Sequence, residues 1–336
     1  MLTQKNISLK PFNTFGIDVI AKEFVAVASI EELVKVLDTN PTDILVLGGG
    51  SNMLLTKAVE ALVLHVNLKG ITEISKSENS VRIQVAAGEN WHELVCWCLD
   101  KNYGGLENLS LIPGNVGTAP IQNIGAYGVE LKDSFISCEA LNIHTKTLKT
   151  FTKDDCDFGY RNSIFKQALK GQYIITSVVF ELSSKNHHLK TNYGAIETEL
   201  DRSGIDQPTI QDVSKAVISI RNSKLPDPKV IGNSGSFFKN PIISLSKFEE
   251  LQTQFPQMPS YKVSEDAIKI PAGWLIETSG FKGKTFTNYG IHSKQALVLV
   301  NHGGANGTDI LNLSIQIQNA IKFIFDIDLE TEVNIL

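Results

Sequence analysis

A chain of 336 residues with 42% hydrophobic residues is long enough for two or three domains, each with its own apolar core. Its formal net charge of -5 argues against nucleic acid as a partner, and no apolar run approaches the roughly 20 residues that a membrane helix needs. The segment from Met1 to Asn6 lacks the apolar stretch of a secretory signal, and the four cysteines have neither zinc-site nor disulfide spacing. We therefore expect a cytoplasmic protein without a metal site.

Hydrophobic periodicity predicts alternating strands and helices along the chain, which indicates an α/β or α+β protein. Ser29 and Glu32 have the spacing of a capping box and predict a helix up to about Leu37. Further helices are expected over residues 90–101, 209–223, 246–255, 267–278 and 308–325. Strands are expected over residues 44–47, 61–66, 80–87, 135–143, 173–182 and 296–300, and the end segment 329–336 has a weak strand pattern.

Two glycine-rich segments predict ligand-binding loops. The first glycine loop (residues 48–52) follows a predicted strand, and the second glycine loop (residues 112–128) contains more glycine and proline than a helix or strand tolerates. The bare backbone N–H groups of such loops suit oxyanions such as phosphates, so two loops favour a dinucleotide cofactor held by its pyrophosphate. The Rossmann fingerprint fails, because Met53 occupies the place of its third glycine and no long helix follows.

The paired loops resemble the flavin-binding domain of the vanillyl-alcohol-oxidase (PCMH) type, in which two glycine-rich loops hold the FAD pyrophosphate. The whole chain resembles the UDP-N-acetylenolpyruvoylglucosamine reductase (MurB) family of peptidoglycan synthesis, type I. The matching motifs lie, in chain order, at residues 13–16, 48–52, 112–128, 160–166, 223–226, 235–241, 272–277, 292–296 and 332–333. Any one of these motifs is weak, but their common order makes the match specific.

The resemblance implies an α+β (α/β) fold with an FAD-binding domain in two subdomains and a C-terminal α+β domain that binds the UDP-sugar. We expect subdomain 1 over residues 1–67 and 326–336, subdomain 2 over 68–223 and the substrate domain over 224–325, with a boundary near Pro226 and Pro228. The implied FAD contacts are Gly48, Gly49, Gly50, Ser51, Asn52, Pro113, Gly114, Gly117, Gln122, Asn123, Gly125, Ala126 and Gly128.

The family's reaction implies FAD and NADPH as cofactors and UDP-N-acetylglucosamine enolpyruvate as the substrate. NADPH reduces the flavin, the reduced flavin passes a hydride to the enolpyruvyl group, and protonation by a serine completes UDP-N-acetylmuramate for cell-wall synthesis, cell shape and cell division. Negative charge develops on the carbon beside the hydride acceptor, so the chemistry requires a cation, a polarising acid and a proton donor. The expected partners are small molecules, with no nucleic acid and no membrane, and we expect a monomer.

The resemblance makes Ser236 the proton donor, Arg161 the cation for the enolate and carboxylate, and Glu332 the acid that polarises the carboxylate. From the sequence alone, these three residues also fit a small turn residue, a surface arginine and an edge-strand carboxylate. Glu330 competes with Glu332 by position, and we choose Glu332 because the family places its acid immediately before a valine, here Val333. A working Glu332 should have a raised pKa.

The implied substrate contacts are Tyr160, Tyr193, Lys224, Asn240 and Gln295. Tyr193 matches the mobile tyrosine of the type I enzymes. Arg221 lies one helical turn before Lys224, and the sequence leaves open whether it contacts the flavin or the phosphates of the substrate. The chain departs from the family pattern at Asn115, where a hydroxyl residue is more usual, and at Asn334, where arginine is common.

Two other functions remain open from the sequence. One is an oxidase of the same flavin class that uses oxygen as its acceptor, and the motifs at residues 160–166 and 235–241 argue against it. The other is a nucleotide-sugar binding protein that has lost its flavin, and the intact glycines of both loops argue against that function.

Overall fold

The computed structural model describes residues 3–193 and 195–336, so Gly194, which follows the predicted substrate tyrosine, lies outside the described residues. The chain forms two compact units. Unit 1 comprises the described residues up to Ile7, Ala21–Gly49 and Val59–Ser223. Unit 2 comprises Ser8–Ile20, Gly50–Ala58 and Lys224–Leu336.

Helices and strands alternate along both units. The helices are α1 (Ile30–Asp38), α2 (Trp91–Asp100), α3 (Ile196–Arg202), α4 (Ile210–Lys224), α5 (Leu245–Gln254), α6 (Ala272–Thr278) and α7 (Gly307–Phe325). The strands are β1 (Gln4–Ser8), β2 (Ile20–Val27), β3 (Ile44–Leu47), β4 (Met53–Leu54), β5 (Val59–Val66), β6 (Ile71–Lys76), β7 (Ser80–Ala86), β8 (Gly125–Ala126), β9 (Val129–Glu130), β10 (Phe135–Asn142), β11 (Leu148–Thr152), β12 (Tyr173–Ser183), β13 (Gly232–Ser236), β14 (Ile242–Ser244), β15 (Tyr261–Lys262), β16 (Ala267–Lys269), β17 (Thr285–Phe286), β18 (Tyr289–Ile291), β19 (Val298–Asn301) and β20 (Asn334–Ile335).

Unit 1 contains a small sheet with strand order β1-β2-β5-β3, in which β2 and β3 both run parallel to β5. Helix α1 begins after Ser29, whose side chain accepts a hydrogen bond from the N–H of Glu32. The Glu32 carboxylate accepts in return from the N–H of Ala28, one residue before the position of an ideal capping box. The apolar face of α1, with Leu33 and Val36, packs in one core with strand residues of β2 and β5.

The larger sheet of unit 1 is antiparallel, with strand order β11-β10-β12-β7-β6. Strand β7 alternates as the sequence predicts, since Val81, Ile83 and Val85 are buried between exposed polar residues. These three side chains join the core that contains Trp91 of α2 and Phe180 of β12. The packing of α2 on this sheet sets the position of the second glycine loop, which follows it.

Unit 2 contains an antiparallel sheet of order β13-β19-β18-β17, a smaller sheet of order β14-β16-β15, and a parallel pair of β4 and β20. Asn13, from the first matching motif, is buried and completes a turn in this unit. Its amide donates to the carbonyls of Leu9 and Ile17 at 2.8 and 2.9 Å and accepts from the N–H of Ile17 at 3.0 Å. The motif therefore has a structural role that needs no ligand.

One predicted helix differs from the structure. The sequence predicts a single helix over residues 267–278, but Ala267–Lys269 form strand β16 and the helix starts only at Ala272. Pro271 occupies the N-cap of α6 and disfavours helical backbone in the residue before it, so the helix cannot extend backwards. The remaining predicted helices begin and end within about two residues of the observed ones.

The observed units also divide the chain differently from the three predicted parts. Residues 50–58 and the end segment 326–336 belong to unit 2, together with residues 224–325. The end segment returns to a strand, as its pattern indicates, and that strand is β4 at the end of the first glycine loop. The boundary between units falls at Ser223, beside the two prolines that interrupt the sequence pattern.

Candidate active site

The two glycine loops meet within unit 1. A Cβ atom at Gly48 would lie 2.6 Å from Cγ2 of Thr118, and one at Gly49 would lie 2.8 Å from Cα of Gly114. Such distances are too short for a real Cβ. The second loop packs directly on Gly48 and Gly49, and this close contact requires glycine at both positions. Asn115 takes part in this contact through its side-chain oxygen, 2.8 Å from the same Cβ position at Gly49. The cradle that the two loops form fits the pyrophosphate of a dinucleotide.

The N-terminal turn of α2 holds the start of the second glycine loop. The backbone N–H of Trp91 donates to the carbonyl of Gly114 at 2.9 Å, and its indole N–H donates to the carbonyl of Leu109 at 2.9 Å. Nδ1 of His92 accepts the N–H of Leu111 at 3.0 Å, and Leu111 has a φ of 59°, which is uncommon for a side chain of this size. Sequence reasoning missed His92, because no motif marks a histidine whose role is to support a loop.

The histidines of the fold predict a stability that falls in mild acid. Burial lowers the pKa of His65, His92 and His292 below the ordinary value of 6.5. At a pH between 6.5 and the lower pKa of a histidine in the folded state, the unfolded chain binds protons that the folded protein does not. We therefore expect full stability above about pH 6.5 and a loss of unfolding free energy as the pH falls through the folded-state pKa values. Urea unfolding followed from pH 7.5 down to pH 5.5 measures this loss.

A matched pair of histidine variants tests the origin of this loss. His92→Gln removes one of the three titrations and should flatten the dependence of the urea midpoint on pH, whereas His188→Gln, at an exposed position, should leave it unchanged. A wild-type midpoint that stays constant over this pH range would show that the three half-buried imidazoles do not govern stability.

The second glycine loop ends in a hairpin. Gly125 and Ala126 form β8 and pair with β9, and the two turn residues Tyr127 and Gly128 both have positive φ, 50° and 79°. Positive φ at both positions is the requirement of a type I′ turn, which explains Gly128. Gln122, another predicted FAD contact, ends a short 3₁₀ helix that begins at Pro120.

Asn123 has a structural role in this loop that the sequence does not reveal. Its side chain is buried, donates to a carboxylate oxygen of Glu130 and to the carbonyl of Gly159, both at 3.1 Å, and accepts from the N–H of Lys132 at 3.1 Å. Its backbone adopts a left-handed conformation with φ of 44°, which asparagine tolerates better than most residues. The Asn123 side chain therefore fixes the loop from inside.

The structure brings Arg161 to this same loop. Nη2 of Arg161 donates to the carbonyl of Gly125 at 2.7 Å, and the guanidinium lies 5.4 Å from the ring centroid of Tyr160. Arg161 has a φ of 53°, so its backbone conformation is also unusual. A predicted catalytic residue, a predicted substrate contact and a predicted FAD contact thus lie together in unit 1.

Tyr193 also contacts the second glycine loop. A Cβ at Gly128 would lie 3.3 Å from Cβ of Tyr193, and the rings of Tyr193 and Tyr127 meet edge to face with centroids 6.4 Å apart. The Tyr193 side chain is 53% exposed. An exposed aromatic ring beside a predicted ligand loop fits the substrate contact that the resemblance implies.

In unit 2, antiparallel pairing places Glu332 opposite Phe237, the residue that follows Ser236. The N–H of Glu332 donates to the carbonyl of Phe237 at 2.8 Å, and Phe238 pairs with Thr331. Both Ser236 and Glu332 are half-buried. Two of the three predicted catalytic residues, far apart in sequence, therefore lie on neighbouring backbone segments.

The end of the first glycine loop joins the same cluster. The side-chain amide of Asn52 donates to the carbonyl of Glu332 at 3.2 Å, and the side-chain amide of Asn334 donates to the carbonyl of Asn52 at 2.8 Å. Leu336 continues this pairing with Leu54 and Thr56. Asn334, the departure from the family pattern, thus helps to hold the Glu332 segment against the first loop, where Ser51 and Asn52 follow Gly50.

Three predicted substrate contacts lie elsewhere in unit 2. Asn240 uses its side-chain oxygen to accept the N–H of Ala272 at 2.9 Å, at the first residue of α6. Gln295 accepts the N–H of Leu297 at 3.3 Å, and Lys224 is exposed at the end of α4. Because Asn240 and Gln295 use only their side-chain oxygens in these bonds, their NH₂ groups remain as donors.

Other kinds of site receive no support from the described part of the chain. Residues 3–193 and 195–336 contain no cluster of three or more His, Cys, Asp or Glu side chains that could hold a metal ion. In the same ranges, each helix is too short or too polar to cross a lipid bilayer.

Comparison with known families finds two matches, one in each part of the sequence. Residues 21–150 match the family model described as an FAD binding domain, so the cofactor is FAD. Residues 227–336 match the model described as the C-terminal domain of UDP-N-acetylenolpyruvoylglucosamine reductase. The predicted fold, an α+β protein with a PCMH-type FAD-binding domain and a separate C-terminal domain, is confirmed.

The chain is similar over its whole length to curated reductases. It is 56% identical to the UDP-N-acetylenolpyruvoylglucosamine reductase of Flavobacterium johnsoniae, with 100% of both chains covered, and 47% identical to that of Pseudomonas fluorescens strain Pf0-1, with 98% of both covered. The crystal structure of UDP-N-acetylenolpyruvylglucosamine reductase (MurB) from Thermus caldophilus has the same fold, with a TM-score of 0.69 and 24% identity over 100% of this chain and 99% of that one. This chain therefore belongs to the UDP-N-acetylenolpyruvoylglucosamine reductase family of FAD-dependent oxidoreductases.

Proposed function

We propose that this protein catalyses the NADPH-dependent reduction of UDP-N-acetylglucosamine enolpyruvate to UDP-N-acetylmuramate in the cytoplasm, a step of peptidoglycan precursor synthesis. Family membership and the names of the full-length relatives support the substrate and the reaction class. The observation that supports the residue assignments is the pairing of Phe237, which follows Ser236, with Glu332, and the hydrogen bond of Asn52 of the first glycine loop to the same segment.

Bound FAD supplies the hydride-transfer chemistry of both half-reactions. Ser236 is the proposed proton donor to the carbon that becomes basic when its neighbour receives a hydride. A hydroxyl is a weak acid, but a carbon with enolate character is basic enough to accept its proton. The position of Ser236 at the end of β13 fixes its backbone, and Phe237, the next residue, is paired with Glu332.

Arg161 and Glu332 are proposed to stabilise the negative charge that develops on the substrate. The carbonyl of Gly125 accepts a hydrogen bond from Nη2 of Arg161, which orients the planar guanidinium, and a planar guanidinium suits paired donation to a carboxylate. Glu332, when protonated, donates a hydrogen bond to the same carboxylate. The proposed substrate contacts are Tyr160, Tyr193, Lys224, Asn240 and Gln295.

An anaerobic spectral titration of the purified protein tests the proposed function. We expect flavin absorbance that bleaches when NADPH is added and returns when UDP-N-acetylglucosamine enolpyruvate follows, in the absence of air. NADH in the first step serves as the comparison for nicotinamide preference. Absorbance that bleaches but returns only with oxygen would contradict the proposal and indicate an oxidase.

Glutamine substitutions separate the two candidate acids at the C-terminal segment. Glu332→Gln should slow flavin reoxidation by the enolpyruvyl sugar about 100-fold or more, because loss of a positioned acid typically costs about 10²–10⁴ in rate. Reduction of the flavin by NADPH should be unchanged in this variant. Stopped-flow absorbance measures the two half-reactions separately.

Glu330 provides the matched control for Glu332. It is exposed and pairs with Lys239 at 2.7 Å, and a surface ion pair of this kind contributes at most about 1 kcal/mol. Glu330→Gln should therefore change reoxidation less than about fivefold. The reverse ranking of the two variants would assign the acid to Glu330.

A further inference from the structure

Arg221 carries a half-buried positive charge that no carboxylate of the described residues neutralises. It lies near the end of α4, and its Nε is inaccessible to solvent and has no hydrogen-bond partner. Burial lowers the pKa of the Arg221 guanidinium, yet an arginine remains charged in proteins. Within residues 3–193 and 195–336, Arg221 forms no ion pair with a carboxylate.

The surroundings of Arg221 belong to the second glycine loop. The guanidinium interacts electrostatically with Tyr127, in the turn of that loop, and with His92, which holds the N–H of Leu111. A hydrogen bond of 2.8 Å between the hydroxyls of Ser110 and Ser214 ties helix α4 to the residues that precede the loop. The cation therefore lies beside the segment 110–128, in the unit that contains the FAD-binding domain match.

Neither neighbour is a counter-charge for this guanidinium. Burial raises the pKa of Tyr127, so its phenol stays neutral near pH 7. Burial and the charge of Arg221 lower the pKa of His92, so its imidazole stays neutral as well. Partial burial of a cation without a charged partner is unfavourable, and proteins keep such groups where a ligand or another charge completes them.

We propose that Arg221 is an FAD-binding residue whose guanidinium supplies the counter-charge for an anionic group of the cofactor. Two groups of FAD have this chemistry: the pyrophosphate, and the isoalloxazine ring when reduction leaves negative charge on it. The inference requires FAD binding, and it does not depend on the identity of the sugar substrate. Arg221 is therefore a binding residue for the cofactor, additional to the glycine loops.

The apoprotein and its Arg221→Met variant provide the test. Binding of FAD and of riboflavin is measured by fluorescence, and the potential of the bound flavin by equilibration with a reference dye. If the pyrophosphate is the anion, the Kd for FAD rises about 10-fold to 100-fold in both redox states, and riboflavin binding is unchanged. If the reduced ring is the anion, the reduced form alone loses about tenfold in affinity, and the potential falls by about 30 mV for a two-electron couple.

Two further variants make the test specific. Arg221→Lys keeps the charge and should restore part of the lost affinity, while Arg202→Met removes an arginine whose side chain is 80% exposed and should have no effect. Without FAD, Arg221→Met should unfold at the same temperature as the wild type or higher, because the variant removes a half-buried charge that has no ionic partner.

Three results would overturn the assignment. The first is an Arg221→Met protein with wild-type FAD affinity and potential. The second is a loss confined to the affinity for UDP-N-acetylglucosamine enolpyruvate, which would assign the cation to the phosphates of the substrate. The third is an Arg221→Met apoprotein that unfolds or melts well below the wild-type apoprotein, with Arg221→Lys binding FAD as the wild type does, which would make the residue structural.

Discussion

Ser236→Ala should leave reduction of the flavin by NADPH intact and slow its reoxidation by the enolpyruvyl sugar about 10²-fold to 10⁴-fold, the usual contribution of a positioned proton donor. The substitution removes only the hydroxyl at the end of β13, and the backbone pairing of Phe237 with Glu332 does not depend on that hydroxyl. Separate stopped-flow measurements of the two half-reactions, without oxygen, distinguish a lost proton donor from a lost cofactor.

Ser234, two residues earlier in the same strand, is the control for Ser236. Its hydroxyl donates to the carbonyl of Met53 at 3.2 Å and is buried, so Ser234→Ala should reduce stability by about 1 kcal/mol and leave the reoxidation rate nearly unchanged. Ser236→Cys keeps a proton donor and should recover part of the rate. Normal turnover by Ser236→Ala would exclude Ser236 as the donor.

Local structure could be predicted from the sequence where it depends on periodicity and capping. The alternation of Val81, Ile83 and Val85 determines which face of β7 is buried, and the side chain of Ser29 caps α1 as its spacing with Glu32 indicates. The long apolar pattern that begins near Thr308 likewise became α7 over its full length. These features involve neighbours in sequence, so a single chain contains enough information to predict them.

Long-range pairing could not be predicted in the same way. Nothing in the composition of residues 329–336 identifies β4 as their partner or indicates that Asn334 bonds Asn52. The pairing of Phe237 with Glu332 is equally long-range, and the sequence suggested the association of Ser236 with Glu332 only through the resemblance to a family. The global arrangement of the chain determines which strands pair, and the alternation of apolar residues within one strand does not encode that arrangement.

The roles of individual loop residues also required the structure. The resemblance implies that Asn123 contacts FAD, and the structure adds that its side chain is engaged within the loop by Glu130, Gly159 and Lys132. No sequence signal marked His92, and the sequence singled out Arg221 without indicating that its Nε lacks a hydrogen-bond partner. Hydrogen bonds of this kind connect residues at irregular separations, so they are visible only once the fold brings their partners together.

Gly49→Ala should weaken FAD binding more than a change of any side chain in the second glycine loop. A Cβ at residue 49 would lie 2.8 Å from the Cα of Gly114 and 3.1 Å from its carbonyl carbon, and backbone atoms cannot move aside at little cost. The two loops must separate instead, and overpacking of this kind costs about 1–3 kcal/mol. We expect the Kd for FAD to rise about 10-fold to 100-fold, measured by fluorescence titration of the apoprotein.

Gly159→Ala is the matched control because it adds the same methyl group in the same unit. Its Cβ would meet only Cβ of Asn162 at 3.6 Å, an ordinary van der Waals contact, so both stability and FAD affinity should stay within about 0.5 kcal/mol of the wild type. If Gly49→Ala bound FAD as tightly as this control, the close packing of the two loops would not be what shapes the pyrophosphate site. The glycines of the first loop would then act through backbone flexibility, and a substitution at Gly50, with its φ of 60°, would be the more damaging one.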